Sequence, residues 1–350
     1  MPHSLSFAIV ALIPAGLVAL GALLGGSWAW AGLLYMTVIA WAFDKLVPAR
    51  GGASQASEAA AERVTLALGV VHFALLALTV RALAAGGLGV AAWTGLFLGA
   101  GLYVGQVSNA AAHELIHRTD RGLFRLGKWI YISLLYGHHT SAHLKVHHRF
   151  AATAEDPNTA RPGESFYAFA PRAWRDGFRK GYAMERADVR RRGTGGATPY
   201  VSYVLGALGF LALSWLTFGW AGLGTYVALA AYAQLQLLLS DYVQHYGLSR
   251  AVGADGRPEP VARAHSWNAA GWFTAHLMLN GPRHSDHHVH PARPYPELTL
   301  TADAPRLPAS LPVMSVLALY PRGWRRVMDR ALAGQGSGDP AELQIAEVAA

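Results

Sequence analysis

His284-Ser285-Asp286-His287-His288 places three imidazoles within five residues of a 350-residue chain. Upstream, His113-Glu114-Leu115-Ile116-His117 adds two more, and His143-Leu144-Lys145-Val146-His147-His148 a further three. His245, followed by Tyr246-Gly247, stands alone between the second and third clusters. His113 and His117 are four apart, and on a helix they share a face. His143 and His147 repeat that spacing, as do His284 and His288, so both pairs are expected on single faces. The doublets His147-His148 and His287-His288 cannot lie on one helical face. One member of each must turn toward a second ion or another ligand direction.

Composition sets the surroundings of these clusters. Hydrophobic residues make up 53% of the chain and charged residues only 14%, against about 25% charged for soluble domains. The apolar excess falls in long runs. Residues 5–24 carry no charge and are long enough to span a bilayer. A signal peptide is the competing reading, but the charged n-region is missing and a second run, 28–43, follows almost at once. Further runs cover 64–85, 88–108, 200–220 and 221–240. The expected fold is an all-α membrane protein of six transmembrane helices, with residues 1–335 a single domain and 336–350 a flexible tail. No internal repeat is apparent.

Lys and Arg concentrate in segments 44–63, 110–199 and 241–350, whereas the links after the first, third and fifth runs carry almost none. The positive-inside rule then puts both termini and every histidine cluster in the cytoplasm. The same rule accounts for the net charge of +8 without nucleic acid. Residues 172–192 hold eight Lys/Arg against three acids, a stretch suited to lipid headgroups or to an acidic electron carrier.

The chain has no cysteine, which excludes disulfides, Cys-ligated iron–sulfur clusters and Cys-zinc sites within it. A metal must therefore be held by histidine or carboxylate. His-Glu-x-x-His also matches the zinc-protease pattern, with Glu114 as base. That reading needs one further ligand and leaves the remaining clustered histidines without a role. Nine imidazoles exceed the needs of one ion, and two ions would take four or five each. Imidazole suits iron, copper, nickel and zinc; open, nitrogen-rich iron is the choice suited to attacking C–H bonds with O2. Glu114, Glu155, Asp156, Asp241 and Asp286 are available to orient imidazoles, with Asp156, Asp241 and Asp286 nearest the clusters. Among the other histidines, His3 reads as terminal and solvated, and His72 as a helix-packing residue within the third run. His138 and His139 are minor candidates for ligation or proton relay, and His265, His276 and His290 weaker ones. A metal transporter would need ionisable residues along the spans; only His72 and Arg81 lie in or near one.

HELIHR at 113–118, HLKVHHRFAATAEDPNTAR at 143–161, HYGL at 245–248, RHSDHHVHP at 283–291 and VLALYPRGWRRVMD at 316–329 together resemble the integral-membrane alkane 1-monooxygenase family. That family is related to xylene side-chain monooxygenases and, more distantly, to membrane fatty-acid desaturases. The resemblance covers roughly residues 100–330, and HYG with DPNTAR favours the hydroxylase branch. It implies two non-haem irons bound by His113, His117, His143, His147, His148, His245, His284, His287 and His288. It also implies O2-dependent hydroxylation of terminal methyl groups, on alkanes or alkyl-aromatics, in the bacterial inner membrane. Electrons would come from a rubredoxin or ferredoxin with an NAD(P)H-dependent reductase, and a homo-oligomer is compatible with it. A membrane fatty-acid desaturase or lipid hydroxylase is the alternative on the same scaffold. Substrate would enter from lipid, with Trp93, Phe97 and Tyr103 as plausible lining. Asp241, Gln244 and Gly281-Pro282 depart from the family pattern around the ligands, at positions that bear on substrate preference.

Overall fold

The computed structural model describes residues 3–47, 52–53, 57–193 and 195–335. The tail at 336–350 and the side chain of His3 lie outside the described residues. The described chain is helical, without strands beyond two isolated bridges. Four long helices come first: α1 (His3–Leu24), α2 (Gly26–Leu46), α3 (Glu58–Ala84) and α4 (Val90–Ile116). The cap follows, with α5 (Arg121–Ser133), α6 (139–150) and α7 (Phe166–Arg192). Next come α8 (Tyr200–Gln244), the short α9 (Trp272–Leu277) and α10 (His284–Val289), and finally α11 (Leu311–Ala318) and α12 (Pro321–Gln335).

Local chemistry sets the starts of several helices. The Ser57, Asp120 and Ser165 side chains accept the Ala60, Leu123 and Ala168 backbone N–H groups, satisfying donors that the first helical turn leaves over. The Ser57 cap starts α3 inside the segment 44–63, six residues before the apolar run at 64. Asp44, at the end of α2, accepts the Phe273 and Thr274 N–H groups at 2.7 and 3.0 Å and so ties α2 to α9, just ahead of the third histidine cluster.

Among the described residues, five helices are long and apolar enough to cross a membrane: α1 through α4 and α8. Where the sequence reading expects two runs meeting at 220/221, α8 is one 45-residue element broken at Gly219 (φ 63°, ψ −160°), a conformation that a Cβ disfavours. The two halves fold back on each other. Gly206 packs against Trp129 and Ile132, while the Tyr226 hydroxyl donates to the neighbouring Ser133 carbonyl. Twenty residues of straight helix would hold those positions about 30 Å apart. Outward-facing Leu216 and Trp220 are 74% and 75% exposed, an arrangement suited to lipid and not to water. These helices make the chain an integral membrane protein.

One contiguous core runs from Phe7 on α1 to Ala331 on α12. Within it, His72 lies against the Ser133 hydroxyl at 2.8 Å, the packing role expected of it. Trp93 and Phe97 stack on each other at 5.1 Å, and Phe97 stacks on Tyr232 at 6.0 Å.

Candidate metal centre

The histidines come together from four separate pieces of chain. Helix α4 continues past the apolar stretch and delivers His113 and, at its end, His117. His143–His147 is not α-helical but a single π-turn inside α6. His245 follows α8 directly, its N–H on the Asp241 carbonyl at 3.0 Å. The next two residues explain the HYG string. The Tyr246 hydroxyl accepts the Gly163 N–H at 2.8 Å, and the Tyr246 carbonyl accepts the Trp267 indole at 2.8 Å. Gly247 sits at φ 74°, with Leu332 2.5 Å from where a Cβ would be, so only glycine fits. Finally α10 supplies His284, His287 and His288.

These nine residues form two groups. His113, His117, His143, His148 and His287 make the first, and His147, His245, His284 and His288 the second. In the first group the Nε2 atoms of His117 and His143 are 3.1 Å apart, those of His143 and His148 2.9 Å, and those of His148 and His287 3.2 Å. In the second, His284 Nε2 lies 2.8 Å from His245 Nε2 and 3.1 Å from His288 Nε2. The groups are neighbours: the His148 ring is 4.9 Å from that of His288.

The partition corrects the expected pairing in the second cluster. His143 pairs with His148, five residues on, and His147 turns to the other group. The π-turn is the cause, because i→i+5 bonding widens the turn and brings i and i+5 toward one face. In α10 the α-helical rule holds for His284 and His288, while His287 points across to the first group.

The donor set fits metal ions. Nitrogens held at about 2.1 Å from one ion lie no more than about 4.2 Å apart, and the spacings here fall within that limit. Burial and neighbouring imidazoles hold His117, His143, His148, His245, His284, His287 and His288 well below the usual histidine pKa, so these rings are neutral at pH 7. Neutral rings that turn Nε2 toward Nε2 are joined either by an N–H···N contact or by a cation held between two lone pairs, and a cation can serve all the nitrogens of a group at once. The Nε2 atoms of His113 and His147 are buried without a hydrogen-bond partner among the described residues.

His147 differs from the rest. Burial lowers its pKa, but Asp156 at 2.9 Å from Nδ1 outweighs this and leaves it raised. Asp156 also accepts the Asn158 N–H and the Thr159 hydroxyl, while the Asn158 amide donates to Asp241. The DPNT turn therefore links α6 to the end of α8. Asn158 is the one site residue of this turn that spacing arguments could not single out, since its role depends on Asp241, 83 residues away.

Two expected supports act elsewhere. The Asp286 carboxylate is taken by Arg263, Arg293 and the Thr299 N–H, so it ties down the loops beside α10 instead of orienting an imidazole. Glu114 binds Arg118 and the Tyr295 N–H, a structural ion pair and not a base beside zinc. Asp241 lines the cavity below the histidines and is held by Asn158. The remaining histidines among the described residues stay out of both groups. His138 packs against Trp174 and Phe178, and His139 against Tyr131 and Tyr136, 5.2 Å from the His143 ring. His265 accepts the Ala262 N–H, His276 stacks on Phe7, and the His290 N–H donates to the Asp286 carbonyl beyond the end of α10.

Two cavities meet below the centre. One, of about 60 Å³, is bounded by His113, His143, His284, His287 and Asp241. The other, about 190 Å³ and mainly apolar, lies among α2, α4, α8 and α11, with Met36, Leu102, Tyr232 and Leu311 in its wall. Asn109, Ser240 and Met278 border both. Trp93, Phe97 and Tyr103, expected as lining, border neither.

A multi-helix membrane scaffold closing over a histidine-only centre defines a class, and comparison with known proteins agrees. The chain belongs to the fatty acid desaturase family, whose model matches residues 87–317. It is similar to alkane 1-monooxygenase 1 of Pseudomonas aeruginosa, with 34% identity over 71% of this chain and 66% of that protein. Alkane 1-monooxygenase 2 of Alcanivorax borkumensis is 31% identical over 79% and 74%, and the Pseudomonas putida alkane 1-monooxygenase 33% identical over 71% and 63%. The chain thus spans about two thirds to three quarters of the length of these relatives. They support an oxidoreductase.

Proposed function

We propose that this chain is a membrane monooxygenase that hydroxylates terminal methyl groups of alkanes or alkyl-aromatics to primary alcohols. The carrying observation is the junction of two histidine groups with an apolar cavity that opens among membrane helices. Similarity to the alkane 1-monooxygenases supports the same reading. The overall reaction is R–CH3 + O2 + 2 electrons + 2 protons to R–CH2OH + water.

Two irons are the metals proposed, one for each histidine group; bound iron would supply O2 activation and delivery of one oxygen atom to the substrate carbon. The protein's part is positional. Asp156 holds the Nδ1 proton of His147 and turns the Nε2 lone pair inward. The apolar cavity takes the hydrocarbon tail, and the neck at Asn109, Ser240 and Met278 admits one end of it toward His113 and His287. Burial of the ligands keeps bulk water away from the reacting carbon.

Electrons would come from a rubredoxin or ferredoxin with its NAD(P)H-dependent reductase, consistent with a chain that has no cysteine to hold a cluster of its own. Exposed arginines such as Arg179 and Arg190 on α7 offer such an acidic carrier a docking face. We read α8 as two crossings about Gly219, giving six spans, one domain over 1–335, and termini and histidines on the cytoplasmic side of the inner membrane.

The test supplies membranes containing the protein with rubredoxin, reductase, NADH and ¹⁸O2, and offers n-octane, p-xylene and a long-chain acyl lipid in parallel. Labelled 1-octanol or 4-methylbenzyl alcohol, absent with His284→Ala, is the expected result. Olefin without labelled alcohol would replace the hydroxylase with a desaturase.

A further inference from the structure

The π-turn that divides the second cluster is held from outside. Lys145 lies at its centre, between His143 and His147, and its Nζ donates to Glu185 Oε2 at 2.8 Å and Asp188 Oδ2 at 2.5 Å, both on α7. One turn earlier, the Ser141 hydroxyl donates to the other Glu185 oxygen at 2.7 Å. With its proton so committed, Ser141 Oγ accepts from the Tyr203 hydroxyl at 2.8 Å, from the start of α8. Glu185 is buried, with 8% of its side chain exposed, and Lys145 is its cation. Two attachments a turn apart thus bracket His143 and fix the pitch of the backbone between them.

That pitch has a consequence for the ligands. In an α-helix, i+4 lies about 40° round from i and i+5 about 140°. His147 would then swing toward the face of His143, and His148 would point away from the first group. An isolated π-turn is rare and is the less favoured form of the backbone, so its persistence here calls for an external restraint.

We propose that Lys145 is a positioning residue: its ion pairs to Glu185 and Asp188 on α7 hold the π-turn that assigns His143 and His148 to one metal group and His147 to the other. This rests on the two-centre reading given above. Relaxation to an α-helix would leave the first group His113, His117, His143 and His287, four imidazoles even before His147 is turned to their side. The second would keep His245, His284 and His288 and lose the ligand anchored by Asp156. The second centre is therefore the one that depends on the clamp.

The test is metal uptake, independent of turnover. Purified full-length protein in detergent is loaded anaerobically with ferrous iron alone, and bound iron per chain is measured. Lys145→Met leaves Glu185 as an unpaired buried charge, so the informative variant is the charge-neutral pair Lys145→Met/Glu185→Gln, with Lys145→Arg as the conservative replacement. We expect two ions in the wild type, about one in the pair variant and about two in Lys145→Arg. The ion left in the pair variant should vanish when His113→Ala is added and survive when His284→Ala is added. Retention of two ions in the pair variant overturns the inference, as does loss of both together or loss of the remaining ion with His284→Ala. A wild-type chain that takes up a single ion overturns the two-centre reading itself, and the wild-type measurement alone separates that failure from the others.

Discussion

His147 donates its Nδ1 proton to Asp156 Oδ2 across 2.9 Å, with the two side chains 2% and 0% exposed. The contact fixes both the ring's orientation and its tautomer. Asp156→Asn should do more harm than loss of a hydrogen bond suggests, because an amide N–H facing Nδ1 would move the ring proton to Nε2, the ligating atom. Loss of a partner of this kind costs about 10- to 100-fold in metal affinity. Chelator competition on the purified protein should show that loss for one of two ions, while an unchanged affinity would remove Asp156 from the site.

His287 is adjacent to His288 in sequence but lies with His113 and His117 in space. His287→Ala should therefore weaken the same ion as His113→Ala, and His288→Ala the same ion as His245→Ala. Substitutions within a group should be strongly non-additive in metal affinity, and substitutions across groups closer to additive. A double-mutant cycle on His287 and His284 with coupling as large as that of His287 and His113 would contradict the partition.

The fold-back at Gly219 predicts where introduced thiols face. The natural chain has no cysteine, so single-cysteine labelling has no background from the protein itself. Ala53→Cys and Gly256→Cys should be shielded in intact cells from a membrane-impermeant maleimide and react after lysis. Gly87→Cys and Trp220→Cys should react in intact cells. Labelling of Ala53→Cys and Trp220→Cys from the same side would rule out six crossings in the proposed orientation.

His138 offers a pH dependence away from the ligands. Burial against Trp174 and Phe178 pushes its pKa down to about 3 from an ordinary 6.5. A lowered folded-state pKa means that the unfolded chain binds the extra proton below pH 6.5, so stability is full above that value and declines as pH falls toward 3. Each pH unit in that window removes up to about 1.4 kcal/mol through this one group. His138→Phe should flatten the acid-side fall in melting temperature relative to wild type between about pH 6 and pH 4. Parallel curves would show that His138 is protonated in the fold.

The amino-acid sequence by itself determined which residues matter and what surrounds them. Long apolar runs suit lipid, and eight histidines at helical spacings with a ninth at His245, in a chain without cysteine, point to nitrogen as the donor for any metal. The i, i+4 pairs His113/His117 and His284/His288 were legible because α-helical geometry is local. Tertiary structure decided the rest. The division of His143, His147 and His148 follows from a π-turn fastened by α7, and the position of His245 from Gly247 against Leu332 on α12. Asp286 serves arginines and a threonine brought beside it by distant loops, and Asn158 acquires its role from Asp241, 83 residues later. The sequence's two runs at 200–240 became one broken helix because Gly219 permits a reversal that hydropathy does not record. Periodicity reports what a helix does within a few residues; how nine histidines divide into two groups depends on contacts between residues far apart in the chain.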